Sequence, residues 1–166
     1  MEYPRQLTLL NQADEPEAGL DQIQTTFVRE VTAVYRGARR TAIQMTQPRY
    51  AADFIRRVLP DNSREHFIAL YLDGSSKVVA YSVIASGTAT TCTAHPREIF
   101  QRAILAGAVS LIIAHNHPSG SLEASPEDRS VTRRIKEAGK LLGIRVLDHL
   151  ILGESEFYSF LDSGEF

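Results

Sequence analysis

The chain has no tryptophan, two methionines and a single cysteine, Cys92, in 166 residues. One cysteine excludes an intramolecular disulfide and any metal site built from several thiolates, and it agrees with a reducing compartment. No segment approaches the roughly 18 uninterrupted apolar residues of a membrane helix, so no membrane association is expected. The N-terminus, Met1-Glu2-Tyr3-Pro4-Arg5, lacks the charged stretch and apolar block of a secretory signal, which makes the cytoplasm the expected location. A surplus of charge is missing too: 18 Lys and Arg stand against 20 Asp and Glu, for a net charge of -2. Stand-alone nucleic-acid binders carry a basic surplus, so charge does not indicate nucleic acid as a partner. There is no repeat and no low-complexity tract, and the length suffices for one domain with its own core.

What is present is a regular alternation of apolar runs and helix signals. Residues 1–20, with Asp14-Glu15-Pro16-Glu17, read as a polar N-terminal arm, and residues 21–166 as one domain. Phe27 to Tyr35 has strand alternation. Pro48 opens a helix whose stripe of Tyr50, Phe54, Ile55, Val58 and Leu59 stops at Pro60. Strands from Glu65 to Leu72 and from Lys77 to Ser86 flank the turn at Asp73-Gly74 and should form a hairpin. An extended piece over 88–94 leads to a helix from Pro96 to Ala106. A buried strand follows at Ala108 to Ala114, then a helix from about Ser125 to Leu142 closed by Gly143, and a last strand from Ile144 to Leu152. This order predicts an α/β layered domain with a mixed, partly antiparallel sheet flanked by helices.

Chemistry concentrates after the buried strand, in His115-Asn116-His117-Pro118. Alternate residues of a strand share a face, so His115 and His117 can address one ion. Asp128 lies eleven residues after His117, within Ser125-Pro126-Glu127-Asp128. That segment has the grammar of a helix start: serine at the N-cap, proline at the first position, an acid three residues past the cap. Ser125 and Asp128 could therefore be an ordinary capping box. Two imidazoles and a carboxylate also leave the fourth position of a zinc ion open to water, as in catalytic rather than structural sites. One Zn2+ per chain is expected; iron, manganese or nickel would suit the same ligands.

The string His115-x-His117-Pro118 with Ser125-x-x-Asp128 resembles the signature of the JAMM (JAB1/MPN) metalloprotease superfamily at every spacing. The stretches "HNHPSG", "HPREIF" and "LLGIRVLDHLILG" are similar to its RadC-type branch, over roughly Tyr50 to Phe160. The resemblance implies a JAB1/MPN-like fold and a zinc-dependent hydrolase that cleaves an amide or isopeptide bond of a peptide or protein. It also implies a glutamate just before an upstream strand, acting as general base. Glu65 is the preferred match because it precedes Phe67 to Leu72; Glu98, in a helix start, is the alternative. Ser125 would join the metal in stabilising the oxyanion. RadC-type proteins carry a DNA-repair label, which gives a rival function: a protein that binds nucleic acid or a partner, with weak or no peptidase activity. They often have an N-terminal helical domain resembling a DNA-binding module, for which this chain is too short. A third reading is a non-catalytic interaction module.

Other residues have two readings each. Asp148-His149 could orient a ligand histidine or be a polar pair on an edge strand. His66 should point to the strand face opposite Glu65, and His95 belongs to the turn before Pro96. Arg129, Arg133, Arg134 and Lys136 form either a solvated helix face or a surface that meets an acidic substrate or phosphates.

Overall fold

Among the described residues, five extended runs assemble into a single sheet around the segment that carries the paired histidines. The computed structural model describes residues 44–87 and 94–166. The expected N-terminal arm, the strand expected over 27–35 and all but Ala94 of the extended piece lie outside the described residues. The elements are α1 (Pro48–Val58), β1 (Glu65–Leu72), β2 (Val78–Gly87), α2 (Pro96–Leu105), β3 (Ser110–Asn116), α3 (Pro126–Leu142), β4 (Arg145–Leu152) and β5 (Phe157–Ser159).

The sheet order is β2-β1-β3-β4-β5. β3 and β4 run parallel, and every other neighbouring pair is antiparallel. A parallel pair needs a crossover, and α3 supplies it. Strand residues divide by parity. Phe67, Ala69, Tyr71, Leu111 and Ile113 pack on one face with Ile99 and Phe100 of α2 and Val131 and Ile135 of α3. Ile68, Leu70, Leu72, Ile112, Leu150 and Leu152 pack on the other with Ala51, Ala52 and Ile55 of α1. Full burial of each such aliphatic side chain contributes about 1.5–3 kcal/mol. The sheet is thus covered on both faces, which is the expected α/β layering, and β1 and β3 read as continuous apolar runs because neither face meets water. No helix among the described residues is long and apolar enough to cross a membrane.

Two close fits set the position of α3. Gly143 ends it with φ at 70°, a left-handed conformation that glycine adopts without strain. At Gly139 a methyl group would stand 2.5 Å from the Ile144 carbonyl oxygen, so only glycine lets the helix come this near the start of β4.

The strand β5 was not expected. At three residues it is too short to show a period, yet it pairs with Leu150, Ile151 and Leu152. β4 is therefore interior, and the edge-strand reading of Asp148-His149 is corrected: both residues are buried.

Candidate metal centre

The centre forms where β3 ends and α3 begins. The crossover from β3 to its parallel neighbour β4 brings the first turn of α3 back over the C-terminal end of β3. His115, next to last in β3, lies opposite Phe67 of β1, and the rings of Phe67 and His115 lie within 2° of parallel. His117 follows on the same face. Its Nε2 lies 3.0 Å from Nε2 of His115, and His115 Nε2 lies 3.2 Å from Oδ1 of Asp128. One ligand atom from each of the three residues falls within 4.8 Å of the others.

The Asp128 carboxylate is held from behind. Its Oδ2 accepts from the Ser125 amide at 2.8 Å and from the Ser125 hydroxyl at 2.6 Å, while the Asp128 amide donates to Ser125 Oγ at 3.0 Å. The capping box is closed in both directions. The same contacts leave Oδ1 free to face the histidines. Capping and metal binding are therefore compatible uses of one Ser-Asp pair.

Protons decide what the three atoms can do. His117 Nδ1 lies 2.7 Å from the Ser121 carbonyl oxygen. A carbonyl can only accept, so Nδ1 carries the hydrogen, and Nε2 is the nitrogen turned toward His115. His115 is 5% exposed. Burial pushes its pKa down to about 4; Asp128 opposes that shift and His117 adds to it. Two imidazole nitrogens and a carboxylate oxygen thus converge, with His117 Nε2 and Asp128 Oδ1 both within hydrogen-bond distance of His115 Nε2. A shared cation would satisfy all three, and the donor set suits a divalent metal.

Glu65 enters β1 two residues before Phe67 and so on the same face. It lines a cleft of about 260 Å3 together with Phe67, His115, Asp128, Val131 and Arg134. Burial raises its pKa above the ordinary value; His117 lowers it and Asp128 adds to the rise. Glu98 does not line this cleft. It pairs with Arg102 at 3.0 Å and Arg97 at 3.5 Å, and its hydrogen bond with Arg102 leads the lowering of its pKa. A larger recess of about 600 Å3 opens along α3, between Arg133, Lys136 and Phe160, and contains none of the three convergent residues.

Asn116 points to the opposite face and accepts from the His66 amide at 2.8 Å. Its side-chain amide donates to Asn62 Oδ1 at 2.8 Å and to the Arg64 carbonyl at 3.0 Å. Those contacts bracket Glu65 on both sides. The strand period alone placed Asn116 opposite the histidines, but nothing in the sequence named its partners. His66 bonds Ser86 at 2.7 Å and approaches Asp61 at 3.5 Å, apart from the cluster as expected. His95 caps α2 by accepting from the Arg97 amide at 3.1 Å.

The basic residues of α3 separate. Arg129 is bound to Glu165 at 2.6 Å and 3.0 Å, and Lys136 sits 4.0 Å from the ring centroid of Phe166. Arg133 lines the larger recess, and Arg134 lines the cleft beside Glu65.

Comparison with known proteins places the chain in a wider set. The family model described as a RadC-like JAB domain matches residues 45–165. A UPF0758 protein of Pelobacter propionicus is 41% identical over 121 residues, covering 73% of this chain and 53% of the relative. One from Trichlorobacter lovleyi is 42% identical over 124 residues, with coverages of 75% and 54%. The UPF0758 protein YfjY of Escherichia coli is 36% identical over 141 residues, 85% of this chain and 88% of the relative. The chain thus spans about half the length of the first two and most of the third.

Proposed function

The chain belongs to the RadC-like JAB domain family, and from that premise we propose that it is a metal-dependent hydrolase of the JAMM type, cleaving an amide or isopeptide bond in a peptide or protein. His115, His117 and Asp128 would hold one zinc ion. The observation that carries this reading is the convergence of those three donors beside a cleft with a carboxylate on its wall. A zinc ion bound there supplies a Lewis acid and acidifies a water molecule toward neutrality.

The chain's own residues supply the rest. Glu65 takes the proton released as the water oxygen bonds to the carbonyl carbon, and returns it to the leaving nitrogen as the C–N bond breaks. Its raised pKa suits both halves of that transfer. Asn116 fixes the peptide on either side of Glu65, which keeps the base at the cleft. Phe67, 3% exposed, walls the site with its ring against His115 and keeps water from its back. Ser125 aims Asp128. Its hydroxyl can also stabilise the oxyanion, provided its hydrogen leaves Asp128 Oδ2 for the developing charge.

The test is hydrolysis of peptide and isopeptide libraries by zinc-loaded protein. Cleavage that disappears in His117→Ala and in Glu65→Gln supports the proposal. A protein that holds stoichiometric zinc and cleaves no amide would overturn the hydrolase reading.

A further inference from the structure

A metal can bind His115 only if Nε2 carries no hydrogen, and an isolated neutral imidazole has two tautomers. Which one forms is set by the partner of the other ring nitrogen. Here that partner is another histidine. His115 Nδ1 lies 2.9 Å from His149 Nε2. His149 Nδ1 lies 2.6 Å from Thr132 Oγ1, and Thr132 Oγ1 lies 2.5 Å from the backbone oxygen of Asp128.

Each link has one allowed polarity. The Asp128 carbonyl can only accept, so Thr132 gives it its only hydrogen. Thr132 Oγ1 then accepts from His149, which places the His149 hydrogen on Nδ1. His149 is fully buried, stacked within 8° of parallel on Phe160 and packed against Phe67. Among the described residues neither ring nitrogen of His149 meets a carboxylate, since their partners are Thr132 and His115 and the adjacent Asp148 carboxylate is turned to Ser159, the Leu161 amide and the His149 backbone amide, so a charge on this buried ring would be uncompensated. A neutral ring with hydrogen on Nδ1 offers only an acceptor at Nε2. His115 must therefore donate from Nδ1, which leaves its Nε2 lone pair facing His117 and Asp128.

We propose that Thr132 and His149 are positioning residues for the metal: their relay fixes the tautomer of His115 and ties that residue, on β3, to the backbone of Asp128, on α3. This inference rests on the reading of His115 and Asp128 as ligands. The path forms a closed ring, from His115 through His149 and Thr132 to Asp128 and back across the 3.2 Å gap to His115. Loss of the threonine hydroxyl opens the ring in two places: it frees the His149 hydrogen from its acceptor and unfastens the first turn of α3. With the His149 proton free to move to Nε2, the His115 hydrogen is driven onto its own Nε2, where it blocks coordination.

Two measurements test it on the full chain, and neither uses catalysis. In 15N-labelled, metal-free wild type, long-range NMR correlations should show His115 protonated on Nδ1 and His149 protonated on Nδ1. A His115 ring protonated on Nε2 and bare on Nδ1 would overturn the relay without any variant being made. Zinc affinity, read by competition with a chromogenic chelator, should fall about 10- to 100-fold in Thr132→Val and return toward wild type in Thr132→Ser. Unchanged affinity in Thr132→Val would overturn the inference and leave the metal reading standing, as would a loss that Thr132→Ser fails to restore. A wild-type chain that takes up no zinc would overturn the metal reading and the relay with it. Zinc bound through the relay without amide hydrolysis would count against the proposed reaction alone.

Discussion

Asn116 and His66 are joined across β3 and β1 by a 2.8 Å hydrogen bond from the His66 backbone amide to the Asn116 side chain. The bond fastens the strand that ends in the histidine pair to the strand that begins with Glu65. Since the Asn116 amide also donates to Arg64, the Glu65 peptide is held from both sides. Asn116→Ala should leave zinc stoichiometry intact and reduce turnover on the order of 10²-fold, as a small displacement of a proton-transfer group does. Kinetics paired with elemental analysis check this; equal activity in the two proteins would show that the clamp does not position Glu65.

Ser125 has a capping role and a proposed catalytic one, and they separate experimentally. Ser125→Ala should lower stability by about 1 kcal/mol through the lost cap. It should also reduce kcat by roughly 10²-fold if the hydroxyl reaches the oxyanion. Ser125→Thr retains the hydroxyl and should recover much of both. Denaturant unfolding and steady-state kinetics on the same preparations provide the comparison. A stability loss with kcat unchanged would confine Ser125 to holding Asp128.

Acid should weaken the metal-free fold. His115 titrates at about 4 when folded, against an ordinary value of 6.5. Between those values the unfolded chain binds a proton that the folded chain refuses, so the His115 contribution to stability falls as pH drops from about 6.5 to about 4 and levels off below. The shift corresponds to something on the order of 3 kcal/mol. His149, lowered for the same leading reason of burial, acts in the same direction. Zinc affinity should fall over the same range, because protons and metal compete for the ring nitrogens. Urea unfolding at a series of pH values measures the first effect; stability rising as pH falls from 6.5 would contradict it.

The approach of α3 to β4 can be tested at Gly139. Alanine is the better helix former by about 1 kcal/mol, but its methyl group would stand 2.5 Å from the Ile144 carbonyl oxygen, a backbone atom that cannot swing aside. Gly139→Ala should therefore destabilise by about 1–3 kcal/mol. A gain in melting temperature would show that the helix can shift without cost.

Much of the centre was legible because its residues sit at element boundaries, which sequence marks clearly. The apolar run before His115 announced a buried strand, Ser125-Pro126 announced a helix start, and strand parity put His115 and His117 on one face. The same parity separated His66 from Glu65. The sequence did not separate Glu65 from Glu98, since both stand at the start of an element; of the two, Glu65 is the one that lines the cleft. Thr132 was invisible: a threonine inside a helix carries no local sign that its hydroxyl meets a histidine from a strand. Asp148-His149 stayed ambiguous because β5 is three residues long, and without it β4 would have been an edge. Asn116 carried no local mark of its role, because its partners His66 and Arg64 lie 50 and 52 residues away in the chain.

The most direct test is a zinc-soaked crystal with anomalous diffraction recorded at the zinc edge. One peak is expected per chain, about 2.0–2.2 Å from His115 Nε2, His117 Nε2 and an oxygen of Asp128. No peak there, or a peak held by other residues while these three keep their mutual contacts, would contradict the claim that they share one cation.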